Sequence, residues 1–251
     1  MTLAVIGGSG FTRWEALRIT ARLDAATPYG APSAPLARGV VAGREVLFLA
    51  RHGDPHRIAP HLINYRANIA ALRDAGVREV VAFAAVGGIA AGLPAGSVVV
   101  PDGILDYTHS RAHTFVDDTV DAVTHIDFTQ PFEPGLRGRL LAAAATAGIA
   151  LRDGGTYAAT QGPRLESAAE IRRLERDGAD IVGMTGMPEA ALAREAGLAY
   201  AMLAVVANDA AGKGESAVAV ALDAAQSAFD AGMAQAREVL LAMLRRDAGV
   251  A

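Results

Sequence analysis

The side chains best suited to hold an anion fall directly after short apolar runs. Gly7-Gly8-Ser9-Gly10 follows the run Leu3–Ile6. Such a segment reads equally as a tight turn or as a cradle in which the Ser9 hydroxyl and nearby peptide N–H groups hold phosphate. Arg51-His52-Gly53 follows Val46–Ala50, and Asp54-Pro55-His56 then forces a turn. Arginine matches phosphate through two parallel hydrogen bonds, and a histidine beside it adds a further donor. The same pair also fits a solvated strand end with a surface ion pair. Thr185, just after Ile181–Gly183, offers another hydroxyl. Nucleotide signatures are missing: Gly212-Lys213-Gly214 lacks the Walker spacing and its Ser/Thr, and the first glycine turn lacks the full dinucleotide-binding spacing.

These segments need elements to carry them. Short β-rich runs alternate with longer alanine-rich segments, which is the rhythm of an α/β fold. Strands are expected at Leu3–Ile6, Val46–Ala50, Val80–Ala85, Ser97–Val100, Thr156–Thr160, Ile181–Gly183 and Ala199–Val206. Helices are expected at Asn64–Asp74, Glu133–Ala147, Ala168–Asp177 and Pro188–Glu195, with a long terminal one from about Ser216 to Arg245. Pro188 suits a first helical turn, and Glu189 then faces the positive end of the helix dipole. Gly76 and Gly148 read as helix stops. Several strands end in glycine or small polar residues, and α/β sheets bind ligands beyond the carboxyl ends of their strands.

The 251 residues, read as one domain over 1–251, are 52% hydrophobic and 20% charged, enough for a substantial core. A formal net charge of −4 argues against bulk nucleic acid or an anionic membrane as partner. The absence of cysteine rules out disulfides, cysteine-ligated metals and thiolate nucleophiles. No run approaches the roughly 18 apolar residues of a membrane span, and the N-terminus shows no secretory leader. A soluble cytoplasmic protein is expected.

Together the motifs resemble those of the trimeric purine nucleoside phosphorylase and methylthioadenosine phosphorylase family. They are VIGGSG (Val5–Gly10), LARHG (Leu49–Gly53), NYRAN (Asn64–Asn68), AVGGI (Ala85–Ile89), THIDF (Thr124–Phe128), QGPRLES (Gln161–Ser167) and GMTGMPE (Gly183–Glu189). Each is weak alone; their order across nearly the whole chain carries the resemblance. It implies a single α/β domain with a central mixed twisted sheet flanked by helices, assembled as a homotrimer or a dimer of trimers. It implies phosphorolysis of a purine nucleoside, with inorganic phosphate as co-substrate and neither cofactor nor metal.

Carried over residue by residue, the resemblance assigns phosphate to Ser9, Arg51, His52, the Ala85 backbone and Thr185. Met184 would lie against the ribose, with His56 near the sugar and His125 toward its 5′ end, where a neighbouring subunit completes the pocket. Leu165, Glu166 and Asn208 would hold the base, with Asn208, Glu166 and His52 as the catalytic group. An asparagine amide donates to N7 and to a 6-oxo group, whereas an aspartate could hold a proton for N7 and accept from a 6-amino group. A carboxylate at Glu166 accepts from the N1–H that 6-oxopurines carry and adenine lacks. Asp209 beside Asn208 is a further base-site candidate, although adenine-specific relatives carry their second aspartate at the position of Ala210. Thr124-His125-Ile126 matches the methylthioadenosine-cleaving members, and Val218 and Val220 offer either an apolar 5′ wall or ordinary core. A 6-oxopurine base with a 5′-methylthio sugar is 5′-methylthioinosine, and the combination is similar to the bacterial members that cleave it. The alternatives are inosine or guanosine phosphorolysis, methylthioadenosine cleavage, and a non-catalytic nucleoside-binding protein.

Overall fold

A computed structural model describes residues 2–8, 14–117, 123–220 and 225–249 of the chain. Its first half runs β1 (Thr2–Gly7), β2 (Arg18–Leu23), β3 (Leu36–Val41), β4 (Arg44–Ala50), α1 (Tyr65–Asp74), β5 (Val77–Gly88), β6 (Val98–Val100) and β7 (Gly103–Asp106). There follow α2 (Pro134–Ala147), β8 (Arg152–Asp153), β9 (Thr156–Ala159), α3 (Ala168–Arg176), β10 (Ile181–Gly183), α4 (Gly186–Glu195), β11 (Ala199–Asp209) and α5 (Gln226–Asp247). All the strands join one mixed sheet.

The central strands alternate their side chains between two apolar layers, as a strand buried on both faces must. In β5, Val80, Ala82, Ala84 and Val86 enter the layer that also holds Ile69 and Leu72 of α1 and Ala190 and Leu192 of α4. Val81 and Phe83 enter the opposite layer, with Leu136 and Leu140 of α2 and Val239, Leu240 and Leu244 of α5. Strand β11 follows the same rule, with Tyr200, Met202 and Ala204 on one side and Ala201, Leu203 and Val205 on the other. The helix pairs therefore clamp the middle of the sheet from both faces.

The pairing along β5 makes the crevice. On one edge, β1 runs parallel to β5 as far as Ile6 opposite Ala82. On the same edge β10 runs antiparallel, with Val182 opposite Gly87 and Ile181 opposite Gly88. The carboxyl ends of β1 and β10 thus approach each other head to head, and Phe83–Val86 of β5 face the gap. On the other edge β11 accompanies β5 and reaches Asn208 opposite Gly87, past a register shift at Val206/Asn208. Strand β4 ends with Ala50 opposite Gly7, so Arg51 also emerges at the gap.

Every expected strand and helix has a counterpart, with one large displacement. The terminal helix begins at Gln226, not near Ser216. Gly214–Ser216 is a short 3-10 turn instead, in which the Asp209 carboxylate accepts the Glu215 N–H at 2.9 Å. Strands β2, β3, β7 and β8 are additions to the expected set. Within α4 the backbone of Met187 is extended, so regular helix starts at Pro188 as the sequence suggests. In the NYRAN segment, Asn64 caps α1 and the fully buried Asn68 accepts the Ser33 N–H at 2.7 Å. That segment anchors a loop; it does not line the cavity described next.

Candidate active site

A cavity of about 660 Å³ opens at the gap in the β5 edge, a volume typical of small-molecule sites. Arg51, His52, His56, Ala85, Leu165, Glu166, Met184, Thr185 and Asn208 all line it, as do Gly8 and Val220. These residues come from the ends of β1, β4, β10 and β11, the middle of β5, and the segment before α3. Ser9 lies outside the described residues. His125 is exposed and does not line the cavity of a single chain. Val218 is fully exposed, so only Val220 of the two valines reaches the cavity wall.

Arg51 is 2% exposed and has its guanidinium already engaged. Nε and Nη2 donate to the Glu189 carboxylate at 2.6 and 2.7 Å, and Nη1 donates to the Phe83 carbonyl at 3.0 Å. Glu189 is wholly buried and also accepts from the Tyr200 hydroxyl at 2.8 Å. Burial alone would lower the Arg51 pKa, but the charge and hydrogen bonds of Glu189 outweigh it and raise the pKa above the usual arginine value. Burial, and then the same carboxylate, push the Tyr200 phenol well up. Two of the five guanidinium N–H groups remain for a ligand. Glu189 is thus not mainly a dipole-facing helix residue; it is the counter-charge that fixes Arg51.

His52 departs from the donor role expected of it. Its Nδ1 lies 2.8 Å from the Ile58 carbonyl, which can only accept, so Nδ1 carries the proton. Burial, then the neighbouring Arg51 charge, lower its pKa to about 4, the Ile58 bond notwithstanding. The neutral ring therefore presents Nε2 as an acceptor. His56 stacks on it with ring centroids 4.4 Å apart and planes 6° apart.

Opposite these groups, β10 delivers Met184 and Thr185. The Tyr157 hydroxyl accepts from the N–H groups of Thr185 and Gly186 at 3.2 and 3.3 Å. A Cβ at Gly183 would collide with that hydroxyl. Glycine at the end of this strand leaves room for Tyr157, and its backbone also lines the cavity. Gly162, at φ +62, similarly leaves room for the Met184 thioether.

Glu166 accepts from the Thr160 hydroxyl at 2.6 Å through Oε1, leaving Oε2 for a ligand. Asn208 Nδ2 donates to the Asp209 carbonyl at 2.6 Å. One amide N–H therefore remains for a base, rather than two. Asp209 does not line the cavity, because its carboxylate is turned to the Glu215 N–H. The base-binding expectation for Asp209 is withdrawn on that ground. Leu165 is 43% exposed at the cavity wall. Phe229, Asp230, Met233 and Arg237 of α5, none anticipated from sequence, also line the cavity. Among the described residues no three His, Asp or Glu side chains are grouped to hold a metal ion.

Residues 2–245 match the family model described as the phosphorylase superfamily, and the chain belongs to that family. A Pseudomonas syringae pv. tomato protein named as a probable S-methyl-5′-thioinosine phosphorylase is 57% identical over 218 residues, 87% of this chain and 89% of the relative. A 6-oxopurine nucleoside phosphorylase from Pyrococcus furiosus is 45% identical, over 84% of this chain and 80% of the relative. Among solved structures, methylthioadenosine phosphorylase from Schistosoma mansoni in complex with adenine superposes with a TM-score of 0.92. It is 31% identical, over 100% of this chain and 93% of that one.

Proposed function

We propose that this enzyme phosphorolyses S-methyl-5′-thioinosine, giving hypoxanthine and 5-methylthioribose 1-phosphate, in the cytoplasm and as a homotrimer without a cofactor. The observation that carries this reading is that Arg51, Met184, Thr185, Glu166 and Asn208 line one cavity at the facing strand ends. In this reading an anion donor set, a sugar wall and a 6-oxopurine donor–acceptor pair share that one cavity. The names of the 57% and 51% identical relatives from Pseudomonas syringae and Xanthomonas campestris support the choice of nucleoside.

In this reading phosphate sits on the two unspent N–H groups of Arg51 and on Thr185, with Gly8 and the Ala85 backbone around it. The C1′–N9 bond breaks with its electrons leaving on the purine, and a phosphate oxygen bonds C1′ of the cationic sugar. Hydrogen phosphate loses one proton and the purine gains one, so the reaction balances without another reactant. His52 Nε2 accepts the phosphate O–H, a role only its neutral form can fill. The remaining Asn208 N–H donates at the N7 and 6-oxo edge, while Glu166 Oε2 accepts from N1–H. Holding phosphate against C1′ supplies several kcal/mol by proximity, of the order seen in well-oriented intramolecular reactions. Because His125 is exposed on one chain, its 5′ role requires that a neighbouring subunit receive it.

A second reading, cleavage of inosine or guanosine, is favoured by Asp230 and Arg237 of α5, polar side chains on the cavity wall that are able to bond a 5′-hydroxyl. Free-base release with and without phosphate tests the reaction type: release should require phosphate, and equal release in its absence would make the protein a hydrolase.

A further inference from the structure

We propose that Arg111 is a positioning residue that locks the base-holding and sugar-holding walls of this cavity together. It stands in the irregular segment after β7 and does not line the cavity itself. Its Nη1 donates to the carbonyls of Met184 at 2.8 Å and Met187 at 2.6 Å. Its Nη2 donates to the carbonyls of Gln161 at 2.7 Å and Thr160 at 3.2 Å. Nε reaches the Gln161 side-chain oxygen at 3.2 Å, and Nη1 also lies 3.3 Å from the Tyr65 hydroxyl. The guanidinium group rests over the Tyr65 ring, 5.5 Å from its centroid. Among the described residues Arg111 has no carboxylate in an ion pair with it. Carbonyl dipoles therefore satisfy the cation, and all five of its N–H directions are used.

The carbonyls it gathers belong to the two walls that must agree. Thr160 orients Glu166 through its hydroxyl and bonds the Gly183 carbonyl through its N–H at 2.8 Å. Met184 is itself a cavity residue and precedes Thr185. A planar fork can bridge two strand ends in this way, whereas the single ammonium nitrogen of lysine cannot. The role rests on the proposed reaction only for its readout, because the clamp is defined by the protein's own bonds.

The test compares Arg111→Lys and Arg111→Ala with the wild type, on the nucleoside the wild type cleaves best. Both variants should lose at least about tenfold in kcat, since small misplacements of reacting groups cost up to about a hundredfold. The phosphate KM should rise by clearly less than kcat falls, because Arg51, the charged phosphate donor, is anchored on Glu189 and Phe83, which Arg111 does not touch, and only Thr185 adjoins a clamped carbonyl. A kcat restored by lysine, or a phosphate KM that rises as steeply as kcat falls, would overturn the clamp. If neither variant folds, Gln161→Ala removes one acceptor and should show the same split at about threefold; unchanged constants would count against it. Calorimetric binding of hypoxanthine is the readout independent of turnover. Arg111→Lys should weaken it about tenfold, and equal affinity would contradict the proposal even if the wild type cleaves no nucleoside.

Discussion

Arg51 and Glu189, 138 positions apart in the chain, meet in a bidentate pair with N···O distances of 2.6 and 2.7 Å. Both are buried, and the cavity lies on the open side of the guanidinium. Two charges removed from water are tolerated only because each satisfies the other, with Tyr200 and the Phe83 carbonyl taking up further bonding capacity. The pair holds the arginine before any ligand arrives.

Removing one member should be costly. Glu189→Ala leaves an uncompensated buried cation and is expected to lower stability by about 3–5 kcal/mol. Glu189→Gln preserves the shape, and in this variant added phosphate supplies the missing negative charge. Thermal unfolding should show a larger phosphate-induced rise in Tm for Glu189→Gln than for the wild type. An equal rise would mean that phosphate does not bind beside Arg51.

His52 should titrate far below an ordinary histidine. Burial and the Arg51 charge disfavour its protonated form, and its pKa falls to about 4 from the usual 6.5. Between those values the unfolded chain carries more protons at this position than the folded one. Its contribution thus lowers stability as pH falls through that window and is level above it. An NMR titration of the imidazole in phosphate-free buffer should place its midpoint near 4; a midpoint at 6.5 or above would contradict the acceptor role.

The neighbours Asn208 and Asp209 should behave oppositely. Asn208→Asp replaces the remaining amide donor with an acceptor, and should cost roughly a hundredfold or more in kcat/KM on a 6-oxopurine nucleoside. Asp209→Asn keeps an acceptor for the Glu215 N–H and should leave kcat/KM within about threefold. Steady-state kinetics on both variants check the pair. A large loss in Asp209→Asn would restore that residue to the base site.

Gly183→Ala should disturb the site from behind. The added methyl meets the Tyr157 hydroxyl, which holds the N–H groups of Thr185 and Gly186. Overpacking of this kind costs about 1–3 kcal/mol, and the phosphate KM should rise as Thr185 shifts. Denaturant unfolding together with phosphate kinetics would reveal both effects.

The central strands are legible in the sequence because both their faces are buried, which writes them as apolar runs such as Val80–Ala85. Strand β2 is not: its side chains alternate between exposed and half-buried, and it carries two arginines. The start of α5 departs from expectation because alanine-rich composition favours helix, while the turn at Gly214–Ser216 is held by a side-chain bond from Asp209 that composition does not reveal. Arg51 and Thr185 are legible from their places directly after strands, whereas Glu166 and Asn208 are reached only through the resemblance to the family. Glu189 is visible as a residue, but its partner across the sheet is not. Arg111 leaves no trace at all, because its partners are mainly backbone carbonyls and any residue type can supply those.

The most direct test of the account is the ratio of kcat/KM for S-methyl-5′-thioinosine to that for inosine and for methylthioadenosine, measured in phosphate buffer with free base as the readout. The account predicts a clear preference for S-methyl-5′-thioinosine over both, through the 5′ group in the first case and the base contacts in the second. Inosine cleaved as efficiently would contradict the 5′ assignment, and methylthioadenosine cleaved as efficiently would contradict the roles of Glu166 and Asn208.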